Sequence, residues 1–267
     1  MRPYRLIALG IATLLMIATI PALSISDRQI IYRSINTPDD IVDIKSNKVW
    51  PIAYTNTVSL ASLDTDTRKQ KFFEMLLPAI LISKAKLGDV REYALGLLRK
   101  RRLSSSDEEW LDGLKSFYRT DDPAELLLRL NDHPVSIVLA QAAIETGWGT
   151  SRFFREANNV FGIRSYDPDE PRMRARETPD HRAVYVKKYK SLIGAVDDYF
   201  ITIARGPYPE FRKTRASVDD VHELVKHLHG YSEIGNEYVR RVRAVIAAND
   251  LSKYDDYVLT GYRWSRY

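Results

Sequence analysis

The sequence predicts a mainly helical domain with one small β-hairpin, and three observations support this prediction. Apolar residues recur at the spacing of one helix face from Asp64 onward, as in Phe72, Phe73, Leu76, Leu77, Ile80 and Leu81. Residues typical of helix ends separate the periodic segments that follow. Residues 164–190 interrupt the helical spacing with three prolines and many charged residues, before a short apolar run at 183–186.

End signals delimit the helices in order along the chain. A segment around Trp110 begins at Ser105 or Ser106, and the next one opens at Asp122-Pro123. An apolar helix then runs from a first-turn proline, Pro134, to a glycine stop, Gly147. After the β element, helical spacing resumes over residues 192–199. A capping box at residues 217–220 opens a helix that ends at Gly230, and a last helix carries residues 238–246.

The N-terminal segment is typical of an exported protein. Arg2 and Arg5 precede an apolar run, residues 6–20, which Pro21 follows. Because apolar residues continue to position 25, the run reaches roughly the 20 residues that span a bilayer. Residues 1–25 are therefore predicted to be a signal peptide or an N-terminal membrane anchor. The protein is expected in the cell envelope, either periplasmic or associated with the inner membrane through residues 6–25.

Residues 26–62 show no sustained period and are expected to form an extended arm or tether. Residues 63–257 are expected to form the folded domain, and residues 258–267 a C-terminal tail. The chain of 267 residues is long enough to bury a core in one such domain.

Composition excludes several classes of function. There are no cysteines, so disulfides, thiolate nucleophiles and cysteine-based zinc sites are absent. None of the five histidines belongs to a His-Glu-x-x-His motif, and neither a glycine-rich phosphate loop nor a Gly-x-Ser-x-Gly motif occurs. No metal and no cofactor are therefore expected. The net charge of +5 suits an anionic wall or lipid, whereas export argues against nucleic acid.

Glu145 is the candidate for acid chemistry. It is the only acidic residue in the apolar helix that begins at Pro134. Partial burial and the negative end of the helix dipole are both expected to raise its pKa. A carboxyl group that stays protonated near neutral pH is what glycosidic cleavage needs as a general acid. By itself, however, a glutamate at a helix end is more often solvated.

The residues after Glu145 favour the functional interpretation. Gly147, Trp148 and Gly149 predict a tight backbone exit with an aromatic ring beside the acid, although ordinary core packing of Trp148 is equally compatible with the pattern. A second short motif, Asn158-Asn-Val-Phe-Gly162, follows. Aromatic rings beside an acid are typical of sugar-binding clefts.

Taken together, these motifs resemble the glucosaminidase domain of flagellar muramidases, of staphylococcal-type autolysins and especially of Bax-type proteins of Gram-negative bacteria. The matching segments are Ala140-Gln-Ala-Ala-Ile-Glu145-Thr-Gly-Trp-Gly-Thr-Ser-Arg-Phe, Asn158-Asn-Val-Phe-Gly, Tyr189-x-Ser191-x-x-x-Ala195-x-x-Asp198-Tyr199 and Gly230-Tyr231-Ser-x-x-x-x-x-Tyr238. A looser likeness extends from about Lys69 to Asp255. The resemblance implies a lysozyme-like helical domain, a small β-lobe flanking the cleft, and hydrolysis of the β-1,4 bond after N-acetylglucosamine in the glycan strand of peptidoglycan.

The resemblance also implies roles for individual residues. Glu145 takes the general-acid role, and Tyr231 and Tyr238 fall where the family has cleft tyrosines. Trp148 and Asn159 are further candidates for substrate binding. Motif positions Phe161 and Tyr199 are expected to be mostly structural.

The resemblance also implies a second carboxylate in the β-lobe that activates water, and Glu177 is the nearest candidate by position. The lobe also carries Asp167, Asp169, Glu170 and Asp180. The mechanism depends on this residue, because a carboxyl pair roughly 6.5–9.5 Å apart gives inversion, whereas assistance by the substrate's N-acetyl group needs no second carboxylate.

Two other functions remain open at this point. A lytic transglycosylase shares the helical cleft and the single acid. Enzymes of that class resemble one another in an Ala-x-Ser segment followed by a Gly-Leu-Met-Gln stretch. This chain has Asn158-Asn-Val-Phe-Gly there instead, which favours the hydrolase. A wall-binding module that has lost turnover is the non-enzymatic alternative, and the retained acid and aromatic residues argue against it.

Overall fold

The computed structural model describes residues 30–175 and 183–260. Within these ranges, no helix combines the length and hydropathy that a bilayer-spanning segment needs. The predicted signal peptide or anchor at residues 1–25 lies outside them.

The described part of the chain is mainly helical, as the sequence predicts. The helices are α1 (Thr65–Arg99), α2 (Ser105–Tyr118), α3 (Pro123–Arg129), α4 (Val135–Thr146), α5 (Arg152–Ala157), α6 (Leu192–Arg205), α7 (Pro209–Thr214), α8 (Val221–Lys226) and α9 (Asn236–Ala248). Short 3-10 helices cover Pro38–Asp40, His229–Tyr231 and Leu251–Asp256. Helix α1 is capped by the carboxylate of Asp64, which accepts hydrogen bonds from two backbone amides of the first turn.

Three predicted helix ends differ from those observed. Ser104, rather than Ser105 or Ser106, caps α2, because its hydroxyl accepts from the Asp107 amide. Asp220 is itself the N-cap of α8 rather than the fourth residue of a capping box, since its carboxylate accepts from two backbone amides. Helix α8 ends at Lys226, so Gly230 lies beyond it in a 3-10 turn.

Helix α4 lies at the centre of the main core. Every residue from 135 to 143 is buried, so this helix has no polar face and is enclosed on all sides by α1, α9 and the 3-10 helix at 251–256. Its N-terminus is tied down by Asp255, whose carboxylate accepts from the backbone amide and the hydroxyl of Ser136, both at 2.8 Å. The 3-10 helix at residues 251–256 therefore anchors the N-terminus of α4.

The β element is a three-stranded antiparallel sheet. It consists of β4 (Arg164–Ser165), β5 (Arg172–Arg174) and β6 (Tyr185–Lys187), with β6 in the middle. This lobe lies in the chain between α5 and α6, where the sequence predicts a small hairpin. The predicted fold class, a mainly helical domain with a small β-lobe, is confirmed.

The segment predicted to be an extended arm or tether contains paired strands and residues of the main core. Strand β1 (Ile31–Arg33) pairs in parallel with β3 (Ile52–Tyr54), and β2 (Lys48–Val49) pairs in parallel with β7 (Val258–Leu259). Ile35, Ile41 and Leu60 are buried in the main core. The physical reason is that scattered apolar residues without a helical period still bury their side chains against α1. The expected tail at 258–267 likewise begins with a paired strand.

Candidate active site

Glu145 lies in the last turn of α4 and is half-buried. Its Oε1 atom accepts a hydrogen bond from the hydroxyl of Tyr238 on α9, at 3.1 Å. On the other side is Gly162, the last residue of the Asn-Asn-Val-Phe-Gly motif. A Cβ atom at Gly162 would lie 3.7 Å from Glu145 Oε2. The structure thus brings the two motifs together around one carboxyl group.

The environment of Glu145 favours its protonated form. Burial raises the pKa of Glu145, and the hydrogen bond from Tyr238 lowers it by less. The direction agrees with the expectation from sequence, and burial is one of the two causes expected there. A carboxyl group with a raised pKa can act as a proton donor near neutral pH.

The backbone after Glu145 turns sharply. Gly147, Trp148 and Gly149 all have positive φ, at 56°, 60° and 77°. A Cβ atom at Gly149 would lie 3.1–3.2 Å from the side chains of Leu60, Phe154 and Phe72, so glycine is required for close packing as well as for φ. Trp148 is not glycine, so its left-handed conformation costs on the order of 1–3 kcal/mol. Strain of this kind is concentrated at functional sites.

The side chain of Trp148 packs mainly against α1. Its indole lies edge-on to Phe72 and Phe73, with ring centroids 6.1 and 5.6 Å away. The ammonium of Lys69 lies 5.1 Å from the centre of the indole ring. Because the ring is half-buried, part of it stays exposed, and its role as a sugar-binding surface stays a prediction.

Two tyrosines line the site next to Glu145. Tyr238 is buried, and Tyr231 is half-buried with its ring stacked on that of Tyr238 at 5.4 Å and 18° between planes. Burial and the nearby carboxyl group raise the pKa of Tyr238 above its usual range, and burial does the same for Tyr231. Both hydroxyls therefore stay protonated near neutral pH. The structure brings both predicted tyrosines to the predicted acid.

Gln141 belongs to the site but received no role from the sequence. Its Nε2 atom donates to the Tyr238 hydroxyl at 3.0 Å, and its side chain is fully buried. The available signal was its position four residues before Glu145, which places both side chains on one face of α4.

Asn159 is hydrogen-bonded to the backbone of the β-lobe. It is buried with only 2% of its surface exposed. Its Nδ2 atom donates to the carbonyl oxygens of Ile163 at 3.0 Å and Lys187 at 2.9 Å, and its Oδ1 accepts from the Ile163 amide at 3.0 Å. Both amide hydrogens are thus engaged with backbone, which leaves none to bind a sugar. These hydrogen bonds favour a structural role for Asn159, and its role in substrate binding stays a prediction.

Replacing Asn159 with alanine is expected to destabilise the fold by about 2–4 kcal/mol, because it strands buried backbone groups that cost about 1–3 kcal/mol each. Urea denaturation of the purified protein measures this change. Asn249→Ala is a matched control, since it loses one hydrogen bond to the carbonyl of Val245 at the half-buried end of α9. If Asn159→Ala kept its stability but lost affinity for substrate, a binding role would be correct.

The second predicted carboxylate, Glu177, lies outside the described residues, as does Asp180. Among the described acids of the lobe, Glu170 is 3.6 Å from the ammonium of Lys187. Asp167 and Asp169 are exposed, and Asp167 accepts a hydrogen bond from the Asp169 amide. The described contacts of these three acids are therefore with other residues of the lobe and not with Glu145.

No group of three or more His, Asp or Glu side chains within residues 30–175 and 183–260 could hold a metal ion. The groups that the described contacts assemble at the site are the Glu145 carboxyl, two tyrosine side chains and the Gln141 amide. An acid of raised pKa among aromatic rings is suited to protonating a sugar oxygen.

Comparison with known proteins shows a family that the segment around the site matches. The family described as mannosyl-glycoprotein endo-beta-N-acetylglucosaminidase, or Glucosaminidase, matches residues 122–251. This segment contains α4, both motifs, the β-lobe and both tyrosines.

Curated relatives agree with this match. Protein bax of Escherichia coli is 26% identical over 186 residues, covering 64% of this chain and 66% of the relative. Peptidoglycan hydrolase FlgJ of Salmonella typhimurium is 29% identical over 154 residues, covering 53% and 48%. Exo-glucosaminidase LytG of Bacillus subtilis is 28% identical over 133 residues, covering 45% and 46%. The chain thus spans less than two thirds of the length of each of these relatives.

Among solved structures, the catalytic domain of the autolysin Auto from Listeria monocytogenes aligns with a TM-score of 0.42 and 20% identity, over 73% of this chain and 93% of that one. The resemblance drawn from the sequence motifs is confirmed by the family match and the curated relatives. Residues 122–251, just under half of the chain, match the glucosaminidase family.

Proposed function

We propose that this protein is a glycoside hydrolase that cleaves the glycan strand of peptidoglycan at the β-1,4 bond after N-acetylglucosamine. In this proposal Glu145 is the general acid that protonates the departing sugar oxygen. The observation that carries the proposal is the half-buried carboxyl group of Glu145, which has a raised pKa and accepts a hydrogen bond from Tyr238.

The family match supports the substrate class. Two of the relatives are named peptidoglycan hydrolase and exo-glucosaminidase. The formal charge of +5 suits a polyanionic wall. The half-buried ring of Tyr231, stacked on that of Tyr238, places apolar surface near the acid, as a sugar ring needs.

The rest of the mechanism requires an attacking group. We propose that Glu177 activates a water molecule for attack, with inversion at the anomeric carbon. This assignment rests on the family resemblance of the β-lobe, together with the salt bridge that occupies Glu170. Assistance by the substrate's own N-acetyl group is the alternative that the experiments below distinguish.

The ends of the products test the proposed bond and reaction type. Purified sacculi incubated with the protein are expected to release fragments with reducing N-acetylglucosamine ends, as measured by mass spectrometry after borohydride reduction. Sacculi incubated with Glu145→Gln serve as the control for spontaneous release. Anhydromuramic ends would identify a lytic transglycosylase instead. Binding to sacculi without any fragments would identify a non-catalytic wall-binding module.

A further inference from the structure

The hydrogen bond from Tyr238 to Glu145 is the last link of a longer chain of polar side chains inside the helical core. This chain of hydrogen bonds begins at the residue that follows α7 and extends to side chains of α4 and α9. Its members, in order, are Arg215, His133, Tyr199, Gln141, Tyr238 and Glu145. Apart from Gln141 and Glu145, which share one face of α4, successive members come from distant parts of the sequence.

The first link fixes the protonation of His133. Nη1 of Arg215 lies 3.2 Å from His133 Nδ1. A guanidinium group only donates hydrogen bonds, so Nδ1 must accept and the ring hydrogen must be on Nε2. Burial and the positive charges of Arg215 and Lys84 lower the pKa of His133 well below its usual value, which keeps the ring neutral. His133 Nε2 therefore donates to the Tyr199 hydroxyl, 2.8 Å away.

The next links fix the orientation of an amide. Because the Tyr199 oxygen accepts from His133, its own hydrogen is free to go to Gln141 Oε1, 2.6 Å away. An amide whose oxygen faces Tyr199 must point its Nε2 toward Tyr238, where it donates at 3.0 Å. The Tyr238 oxygen then accepts this bond, and its hydrogen points to Glu145 Oε1. Every donor along the chain points toward the acid.

Packing holds the middle of the chain in place. Tyr199 is fully buried, and its ring stacks on Phe161 at 4.2 Å. The ring of His133 contacts those of Phe200 and Phe211 at 5.0 and 5.2 Å. Side chains enclosed in this way have little freedom to reorient. The polarity of the chain is thus set by the fold.

We propose that His133, Tyr199 and Gln141 are positioning residues that hold the Tyr238 hydroxyl as a permanent donor to Glu145 Oε1. This inference deepens the proposed function and rests on it. With Oε1 committed as an acceptor, the transferable proton of Glu145 is on Oε2, the oxygen that faces Gly162. The absence of a side chain at Gly162 leaves that oxygen open toward the space where a leaving group would lie. The chain of hydrogen bonds therefore determines which oxygen of Glu145 donates the proton.

The test measures the titration of Glu145 directly. On the described residues, Glu145 interacts with the titratable groups of Tyr238 and Tyr231. Carbon-13 NMR of labelled glutamate carboxyl groups, with Glu145 assigned from Glu145→Gln, follows its pKa in folded protein. Tyr238→Phe removes the donor, so the pKa of Glu145 is expected to shift upward.

Tyr199→Phe separates positioning from mere packing, because it keeps the ring and removes only the hydroxyl. Without the Tyr199 hydroxyl, no donor holds the Gln141 oxygen on that side. The amide can then exchange its two ends within the same space and accept the hydrogen of Tyr238. The pKa of Glu145 is expected to shift upward, in the same direction as in Tyr238→Phe and by no more. Tyr93→Phe is the matched control, since it also loses one tyrosine hydrogen bond, to Asp107 at 3.0 Å. It is expected to leave the Glu145 titration unchanged.

An unshifted pKa of Glu145 in folded Tyr199→Phe would overturn the inference. If that variant does not fold, the wild-type spectrum decides. A cross-peak from the Nε2 hydrogens of Gln141 to the ring of Tyr238 is expected, and a cross-peak to the ring of Tyr199 alone would show the reversed amide and overturn the inference. If the pKa shifts occur but wild-type protein releases nothing from sacculi, the positioning chain stands and the proposed function fails.

Discussion

Glu145→Gln is expected to slow the release of fragments from purified sacculi by about 100- to 10,000-fold, the usual contribution of a general acid. Glutamine preserves the size of the side chain, and its Oε1 can still accept the hydrogen bond from Tyr238. It lacks the acidic proton that the departing sugar oxygen requires. The measurement is the initial rate of solubilised reducing sugar at several protein concentrations.

Glu210→Gln provides the control for this substitution. Glu210 is an exposed residue on α7 that pairs with Lys213 at the surface, so its replacement is expected to leave the rate unchanged. Equal melting temperatures of the two variants would show that Glu145→Gln is folded. A rate for folded Glu145→Gln within a few fold of the wild type would show that another group is the acid.

Glu177→Gln is expected to lower the same rate by at least about 100-fold if this carboxylate activates the attacking water. A neutral amide cannot accept the proton that water loses. Asp180→Asn is a matched control, because it removes a neighbouring negative charge from the same segment of the lobe. Its rate is expected to stay close to that of the wild type.

The stereochemistry of the product provides an independent check on Glu177. Inversion at a β-linked sugar gives the α anomer first, which proton NMR detects before mutarotation. A first-formed β anomer, combined with a Glu177→Gln rate close to the wild type, would contradict the assignment. That pair of results would favour attack by the N-acetyl group of the substrate.

Helix α4 and its end could be predicted from the sequence because their determinants are local. An apolar run flanked by Pro134 and Gly147 predicts a buried helix with a left-handed stop, and the structure has both. The raised pKa of Glu145 follows from the same reasoning, since a carboxyl group on such a helix must lose part of its hydration.

Individual roles within the motifs were harder to predict. Asn159 and Tyr238 both occupy motif positions, yet one is consumed by backbone hydrogen bonds and the other faces the acid. Membership in a motif does not distinguish a residue that shapes the lobe from one that faces the ligand. That distinction depends on which side of the backbone faces the cleft, which is a property of tertiary packing.

The positioning chain was beyond prediction for a different reason. His133 and Arg215 each follow other polar residues, so nothing in the sequence distinguishes them. His133 and Tyr199 are 66 positions apart. Their direction of donation depends on a guanidinium group contacting one particular ring nitrogen. Such a relation appears only when the helices are assembled.

The hydrogen bonds between Asp255 and Ser136 show that the folded unit of this chain extends beyond the segment that matches the family. A fragment limited to residues 122–251 would lack this carboxylate, the whole of α1 and the strands that join residues 48–49 to 258–259. Helix α4 would then lose most of the surface that encloses it. During synthesis, the N-terminus of α4 can form its hydrogen bonds to Asp255 only after the chain has been made through residue 255. A shorter chain would contain Glu145 without the full burial that raises its pKa.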